Sequence, residues 1–97
     1  MRTPEGAVKA ACKKLFDKYG AKYIMPMGTG YGVVGVSDFV VCANGKFIAV
    51  ETKAKNNKTT PLQERFLSEV DKAGGIALVI REDTLDILEK ALKDCYE

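Results

Sequence analysis

The dipeptide Asn44-Gly45, set between two apolar runs, constrains this chain more than any other feature. Asn-Gly favours a two-residue type I′ hairpin turn, because both central residues must take positive φ. Counting outward pairs Ala43 with Lys46, Cys42 with Phe47, Val41 with Ile48, Val40 with Ala49, Phe39 with Val50 and Asp38 with Glu51. The two strands are expected over roughly Val36 to Cys42 and Lys46 to Ala54. Side chains alternate along a strand, so Lys53 joins Glu51 and Asp38 on one face and Thr52 points to the other.

Ordinary sheets avoid like charges directly opposite each other. Two carboxylates about 5 Å apart, at an effective dielectric of about 20, repel by roughly 3 kcal/mol. A hard divalent cation would offset that repulsion, and the Lys53 ammonium offsets part of it without a metal. An isolated E-x-K triplet also fits a solvated hairpin end. The opposed Asp38 and the apolar residues around it argue against that reading.

With 97 residues the chain has enough length for one domain, residues 1–97, and one modest core, so oligomerisation is a plausible source of further burial. An apolar share of 46% and a charged share of 29% are those of a soluble globular protein. Neither a signal-peptide pattern nor a bilayer-length apolar run is present, so no membrane association and an intracellular location are expected. The net charge of +2 is too small to identify a nucleic-acid partner by itself. Cys12, Cys42 and Cys95 are odd in number and widely spaced, which suggests reduced thiols rather than disulfides or a zinc site. Histidine is absent, excluding Ser-His triads, Cys-His dyads and histidine-ligated zinc. Catalysis by this chain must therefore rest on carboxylates, lysines and bound ions.

Thr3 before Pro4 marks a helix start, with Val8, Cys12, Leu15, Phe16 and Tyr19 recurring at helical spacing until Gly20. Ala21 to Met27 reads as a short strand, followed by the glycine-rich stretch Gly28-Thr29-Gly30-Tyr31-Gly32. The hairpin comes next, and apolar residues on both of its faces predict that both are covered. After the polar, basic segment Lys55-Asn56-Asn57-Lys58-Thr59, the run Thr60-Pro61-Leu62-Gln63 opens a helix with a capping-box pattern. Leu62, Phe66, Leu67 and Val70 are expected to form its buried stripe, and Gly74-Gly75 ends it. Ile76 to Ile80 reads as a strand, and Asp83 is expected to cap a last helix bearing Leu85, Leu88, Ala91 and Leu92. The predicted order is αβββαβα.

Gly30-Tyr31-Gly32-Val33-Val34-Gly35 matches G-x-G-x-x-G, with Glu51 farther along. A dinucleotide site needs a helix to begin at those glycines, whereas the sequence here runs β-branched and short into a hairpin. Glycines beside the carboxylates could instead let a phosphate backbone come close.

Asp38, Glu51 and Lys53 together have what phosphodiester hydrolysis requires, namely oxygen ligands for a hard cation and a positive group beside it. The backbone carbonyl of Thr52 could add a metal ligand.

Pro4-Glu5, Gly35-Val36-Ser37-Asp38, Gly45-Lys46-Phe47-Ile48-Ala49-Val50-Glu51-Thr52-Lys53-Ala54, Gln63 and Gly74-Gly75-Ile76-Ala77 resemble the virus-type replication-repair nucleases, the VRR-NUC family. The likeness covers nearly the whole chain. It implies membership of the PD-(D/E)XK superfamily and an α/β, restriction-endonuclease-like fold, with a mixed sheet carrying helices on both faces. It further implies that Asp38 and Glu51 bind Mg2+ or Mn2+, that Lys53 serves the nucleophilic water, and that Gln63 supports the site from the second helix. Glu5 matches the acidic residue of the family's first helix. Each of the last two has an ordinary structural reading: Glu5 as a carboxylate at a helix N-terminus, Gln63 as the N3 partner of a Thr60 cap.

Ser37 stands where the superfamily name implies proline, with little consequence expected since alternation turns its side chain away from the site. The stretch from Met27 to Val34 lacks the arginines of some relatives, leaving Lys46, Lys55 and Lys58 as the candidate DNA contacts. By resemblance the activity is that of a DNA endonuclease acting on branched replication or repair intermediates, including Holliday junctions, as a homodimer with two sites on opposite strands. Such a protein could be phage-encoded and act in a bacterial host. The competing reading is a non-catalytic nucleic-acid-binding or partner-binding module, which would tolerate loss of Glu51.

Overall fold

A computed structural model of the protein describes residues 3–27 and 34–97. The glycine-rich stretch from Gly28 to Val33 lies outside the described residues. From Gly35 the chain passes to a strand and not to a helix, so the context a dinucleotide site demands is missing after Gly35.

Helix α1 spans Pro4–Tyr19. Thr3 Oγ1 accepts the Gly6 N–H at 3.0 Å, Pro4 occupies the first turn where no N–H is needed, and Gly20 closes the helix at φ 69°. Strand β1 is only Lys22–Ile24, shorter than the expected Ala21 to Met27. Pro26 has no N–H to give a ladder, so pairing stops before it.

Strands β2 (Phe39–Ala43) and β3 (Lys46–Thr52) form the antiparallel hairpin. Asn44 and Gly45 take φ 50° and 81°, and all five pairs from Phe39↔Val50 to Ala43↔Lys46 match the register counted from that turn. Asn44 also donates through Nδ2 to the Cys95 carbonyl at 2.9 Å, fastening the turn to the end of the last helix. Both strands end earlier than expected on the side away from the turn, because the chain bends at Asp38 and turns away after Thr52.

Helix α2 spans Pro61–Lys72, strand β4 Ile76–Ile80 and helix α3 Leu85–Cys95. The order is αβββαβα, as predicted. Sheet order is β1-β2-β3-β4, with β4 parallel to β3 through the α2 crossover. The predicted Asp83 cap is corrected: the N-cap position belongs to Thr84, while Glu82 and Asp83 form the corner of a turn closed by Thr84 N–H donating to the Arg81 carbonyl.

Helices α1 and α3 cover one face of the sheet, where Val8, Cys12, Phe16, Phe39, Val41, Ile48, Val50, Ile80, Leu88 and Leu92 form the main core. Phe16, Tyr23 and Phe39 make an aromatic trio with centroids 4.9 to 5.6 Å apart. Glu89 Oε2 accepts from Lys18 Nζ at 2.7 Å and Tyr19 Oη at 2.6 Å, tying the two helices together. Helix α2 lies on the other face over Ala49, Ala77 and Val79 through Phe66, Leu67 and Val70, whereas Leu62, in the first turn and expected in the buried stripe, is exposed. The expectation of a hairpin covered on both faces holds only in part: α2 leaves Cys42 and Phe47, near the turn, exposed. Among the described residues, no helix is long and apolar enough to cross a membrane.

Candidate active site

The site forms at the end of the β2–β3 hairpin opposite the turn. Glu51 and Thr52 close β3, their places fixed by parallel pairing with Val79 and Ile80 of β4. Lys53 follows immediately and keeps one sheet bond, its N–H donating to the Ile80 carbonyl at 3.0 Å. Asp38 precedes β2.

Glu51 is 3% exposed, which is rare for a carboxylate. Oε1 accepts the Asp38 N–H at 3.1 Å, and Lys53 Nζ lies 3.5 Å from Oε2. Burial, followed by the charge of Asp38, pushes the Glu51 carboxyl above the usual glutamate range, while Lys53 and the Asp38 N–H pull the other way.

Asp38 departs from the alternation expected of it. Thr52 is fully buried on the α1 side of the sheet, opposite Glu51 and Lys53 as predicted, but Asp38 turns its carboxylate toward Thr52. Its Oδ2 accepts both the Thr52 N–H at 2.9 Å and the Thr52 hydroxyl at 2.6 Å. The physical reason is the bend: extended backbone begins at Phe39, so period-two alternation does not govern Asp38. The two carboxylates are joined through backbone and charge rather than as a flat cross-strand pair. The expectation that Asp38 shares a face with Glu51 and Lys53 is corrected accordingly.

The turn into Asp38 is built by close approach. Gly35 sits at φ 72° against the first turn of α2, and a Cβ placed there would lie 2.4 Å from the Leu62 carbonyl oxygen. That contact sets Gln63, the next residue in α2, near the chain entering the site. Ser37 Oγ, in the position of the superfamily's proline, donates to the Phe39 carbonyl at 2.8 Å and is buried.

Two solved structures are similar to this chain over nearly its full length. One, described as a VRR_NUC domain, is 25% identical, covers 98% of this chain and 96% of its own, and superposes with a TM-score of 0.72. This chain has the fold of a VRR-NUC domain. A second, described as a VRR_NUC domain protein, is 15% identical, with 97% and 88% of the two chains covered and a TM-score of 0.69. No protein-family profile and no curated protein matches the chain.

In this nuclease-type fold the remaining candidates fall at unequal distances from the carboxylates. Glu5, in the first turn of α1, accepts from Lys9 Nζ at 3.3 Å, and the same ammonium lies 3.8 Å from Asp38 Oδ1. Glu5 thus reaches the site through Lys9, a residue the sequence reading missed. The i,i+4 spacing of Glu5 and Lys9 was its one visible signal. Gln63 completes the capping box: Oε1 accepts the Thr60 N–H at 2.9 Å, and its own N–H donates to Thr60 Oγ1.

Lys55 and Lys58 are exposed in the loop that follows Lys53. Arg81, also missed, clamps that loop, donating from Nε to the Lys55 carbonyl at 3.0 Å and from Nη2 to the Asn57 carbonyl at 2.8 Å. Glu82 Oε1 accepts the Lys55 N–H, and Lys55 holds φ 43°. Lys46 lies at the hairpin turn, about 16 Å along β3 from Glu51. It stands apart from the other candidates.

Among the described residues no group of three or more His, Cys, Asp and Glu side chains gathers as a metal cage. What the site offers is two carboxylates and a carbonyl, all hard oxygen donors, with a lysine against each carboxylate.

Proposed function

We propose that this domain is a nuclease that hydrolyses DNA phosphodiester bonds with Mg2+ or Mn2+. The observation that carries this reading is the convergence of Asp38, nearly buried Glu51 and Lys53 at one end of the hairpin. Burying a carboxylate against another negative charge is costly, and functional sites are where such arrangements concentrate.

The donor set fits magnesium or manganese better than calcium. Mg2+ commonly takes one or two protein carboxylates and completes its shell with water and substrate phosphate, whereas calcium sites gather six to eight oxygens. Asp38 Oδ1, Glu51 and the Thr52 carbonyl would hold such an ion. When bound, the ion supplies Lewis acidity toward the phosphoryl oxygen and acidifies a water.

The chain's own residues do the rest. Thr52 fixes Asp38 by engaging Oδ2, leaving Oδ1 for ligation. Lys53 favours the charged form of Glu51, orients the attacking water and offsets charge growing on the phosphate. The Gln63 carbonyl is spent on Thr60, so its NH2 group is what it presents toward substrate or water. Lys55 and Lys58, on a loop held by Arg81 and Glu82, meet DNA phosphates beyond the scissile bond. The substrate is branched DNA, such as a flap or four-way junction, and the working unit is a homodimer that offers one site to each of two strands.

The test is a cleavage assay on linear duplex, flap and four-way junction DNA with Mg2+ or Mn2+, comparing wild type with Lys53→Ala and Asp38→Asn. Metal-dependent cutting, strongest on the branched substrates and abolished in both variants, is expected. DNA binding without cutting would identify a binding module instead, and a monomer by light scattering at micromolar concentration would remove the paired-strand mechanism.

A further inference from the structure

Asp38 has two oxygens with different surroundings. Oδ2 is committed to Thr52, accepting its N–H and its hydroxyl. Oδ1 faces Lys9, whose ammonium lies 3.8 Å away while also 3.3 Å from Glu5 Oε2. Oδ1 is therefore the oxygen on which a cation can act, and a cation from α1 already lies beside it. Lys9 is partly buried, with its side chain 29% exposed, and comes from the turn of α1 that follows Glu5.

We propose that Lys9 is a built-in competitor for the metal at Asp38, a positioning residue that sets how tightly the site takes a divalent cation, and that Glu5 acts on the site through Lys9. This rests on the metal reading above. Without the ion, the ammonium sits between Glu5 Oε2 at 3.3 Å and Asp38 Oδ1 at 3.8 Å, and its charge acts on Oδ1. When the ion arrives, two positive charges cannot share that oxygen, and Lys9 withdraws toward Glu5. Glu5, four residues back on the same helix, already accepts from it, so the negative charge of Glu5 makes the withdrawal easier. Lys53 has no such role, since its partner is Glu51 Oε2 and not Asp38.

The charges fix the signs. Removing the ammonium should strengthen metal binding. Removing the Glu5 charge should weaken it, because Lys9 then has only Asp38 to hold. If Glu5 acts through Lys9, that weakening should vanish once Lys9 is gone, since contacting residues couple and independent ones add.

The experiment is a titration of Mn2+ into the purified full chain without DNA, with free Mn2+ read by electron paramagnetic resonance. The variants are Lys9→Met, Lys9→Arg, Glu5→Gln, the double variant and Asp38→Asn, each checked for folding by circular dichroism. Lys14→Met, an exposed lysine on the same helix, controls for net charge. Lys9→Met should bind Mn2+ roughly threefold to tenfold more tightly than wild type, the scale of one extra charge at the edge of a solvated site. Lys9→Arg and Lys14→Met should stay within twofold of wild type. Glu5→Gln should weaken binding severalfold alone and leave it within twofold in the Lys9→Met background.

Mn2+ binding that Lys9→Met leaves unchanged or weakens overturns the role given to Lys9, with the metal reading intact. Weakening by Glu5→Gln that is equal in both backgrounds makes Glu5 an independent ligand and overturns the coupling. Wild type that binds no Mn2+ sensitive to Asp38→Asn overturns the metal reading and the competitor role together.

Discussion

Thr52 donates both its backbone N–H and its hydroxyl to one oxygen of Asp38, at 2.9 and 2.6 Å, so that residue 52 fixes residue 38 across the mouth of the hairpin. Thr52 is wholly buried, and hydrogen bonds to charged groups are worth about 1.5 to 3 kcal/mol. Thr52→Val keeps the volume and the N–H bond but removes the hydroxyl. It should cost about 1.5 to 3 kcal/mol in urea unfolding and reduce DNA cleavage by more than tenfold. Loss of stability with full cleavage would mean that Asp38 does not need to be held.

Gly35 is held by geometry as well as by conformation. Its φ of 72° is costly for other residues, and an added Cβ would meet the Leu62 carbonyl oxygen at 2.4 Å. Gly35→Ala should therefore destabilise by at least about 2 kcal/mol, since a non-glycine residue in this region costs roughly 1 to 3 kcal/mol before the clash is counted. The contact also spaces Asp38 from α2. A variant with an unchanged melting temperature would show that the loop can draw back from Leu62 freely.

The Glu51 carboxyl titrates above the ordinary glutamate value of 4.5, chiefly because it is buried and secondarily because Asp38 is charged. The native state then binds this proton more tightly than the unfolded chain does. Stability conferred by protonated Glu51 is complete below pH 4.5 and is lost as pH rises through the native pKa above it. Glu51→Gln cannot undergo this loss, so the stability of the variant relative to wild type should increase across that window and level off above the native pKa. Urea unfolding at a series of pH values reads the difference directly, and parallel curves for the two proteins would contradict it.

Gln63 has two duties that a pair of substitutions separates. Glutamate at N3 also completes a capping box, so Gln63→Glu should keep stability within about 0.5 kcal/mol, whereas Gln63→Ala should lose about 1 kcal/mol. Only the amide offers an NH2 donor. Cleavage should fall at least tenfold in both variants, and a Gln63→Glu enzyme with wild-type rates would reduce Gln63 to a cap.

The register was legible because one dipeptide determines it. Asn44 and Gly45 reach positive φ at little cost, and the pairing from Phe39 to Val50 follows by counting. Counting failed where the strand stopped: alternation says nothing about Asp38 once the chain bends, so its turn toward Thr52 had no sequence signal. Pro26 did carry a signal for the shortened β1. Lys9 and Arg81 were invisible for a different reason. Each acts on a segment distant in sequence, Lys9 on Asp38 and Arg81 on the Lys55 loop, and only the tertiary fold brings those pairs together.

The lysines offer a test of where DNA runs. Lys55 and Lys58 follow Lys53 on a loop clamped by Arg81, while Lys46 lies at the opposite end of β3. If the duplex is gripped beside the carboxylates, Lys55→Ala and Lys58→Ala should each weaken binding by about the same factor on every sequence and lower the salt slope by about 1. Arg81→Ala should do much the same without removing a contact itself, because it frees the Lys55 and Asn57 carbonyls and with them the loop. Lys46→Ala should leave affinity within twofold. Binding measured by fluorescence anisotropy over a range of salt concentrations distinguishes these outcomes, and a larger loss for Lys46→Ala than for Lys55→Ala would place the DNA along the whole sheet rather than at its end.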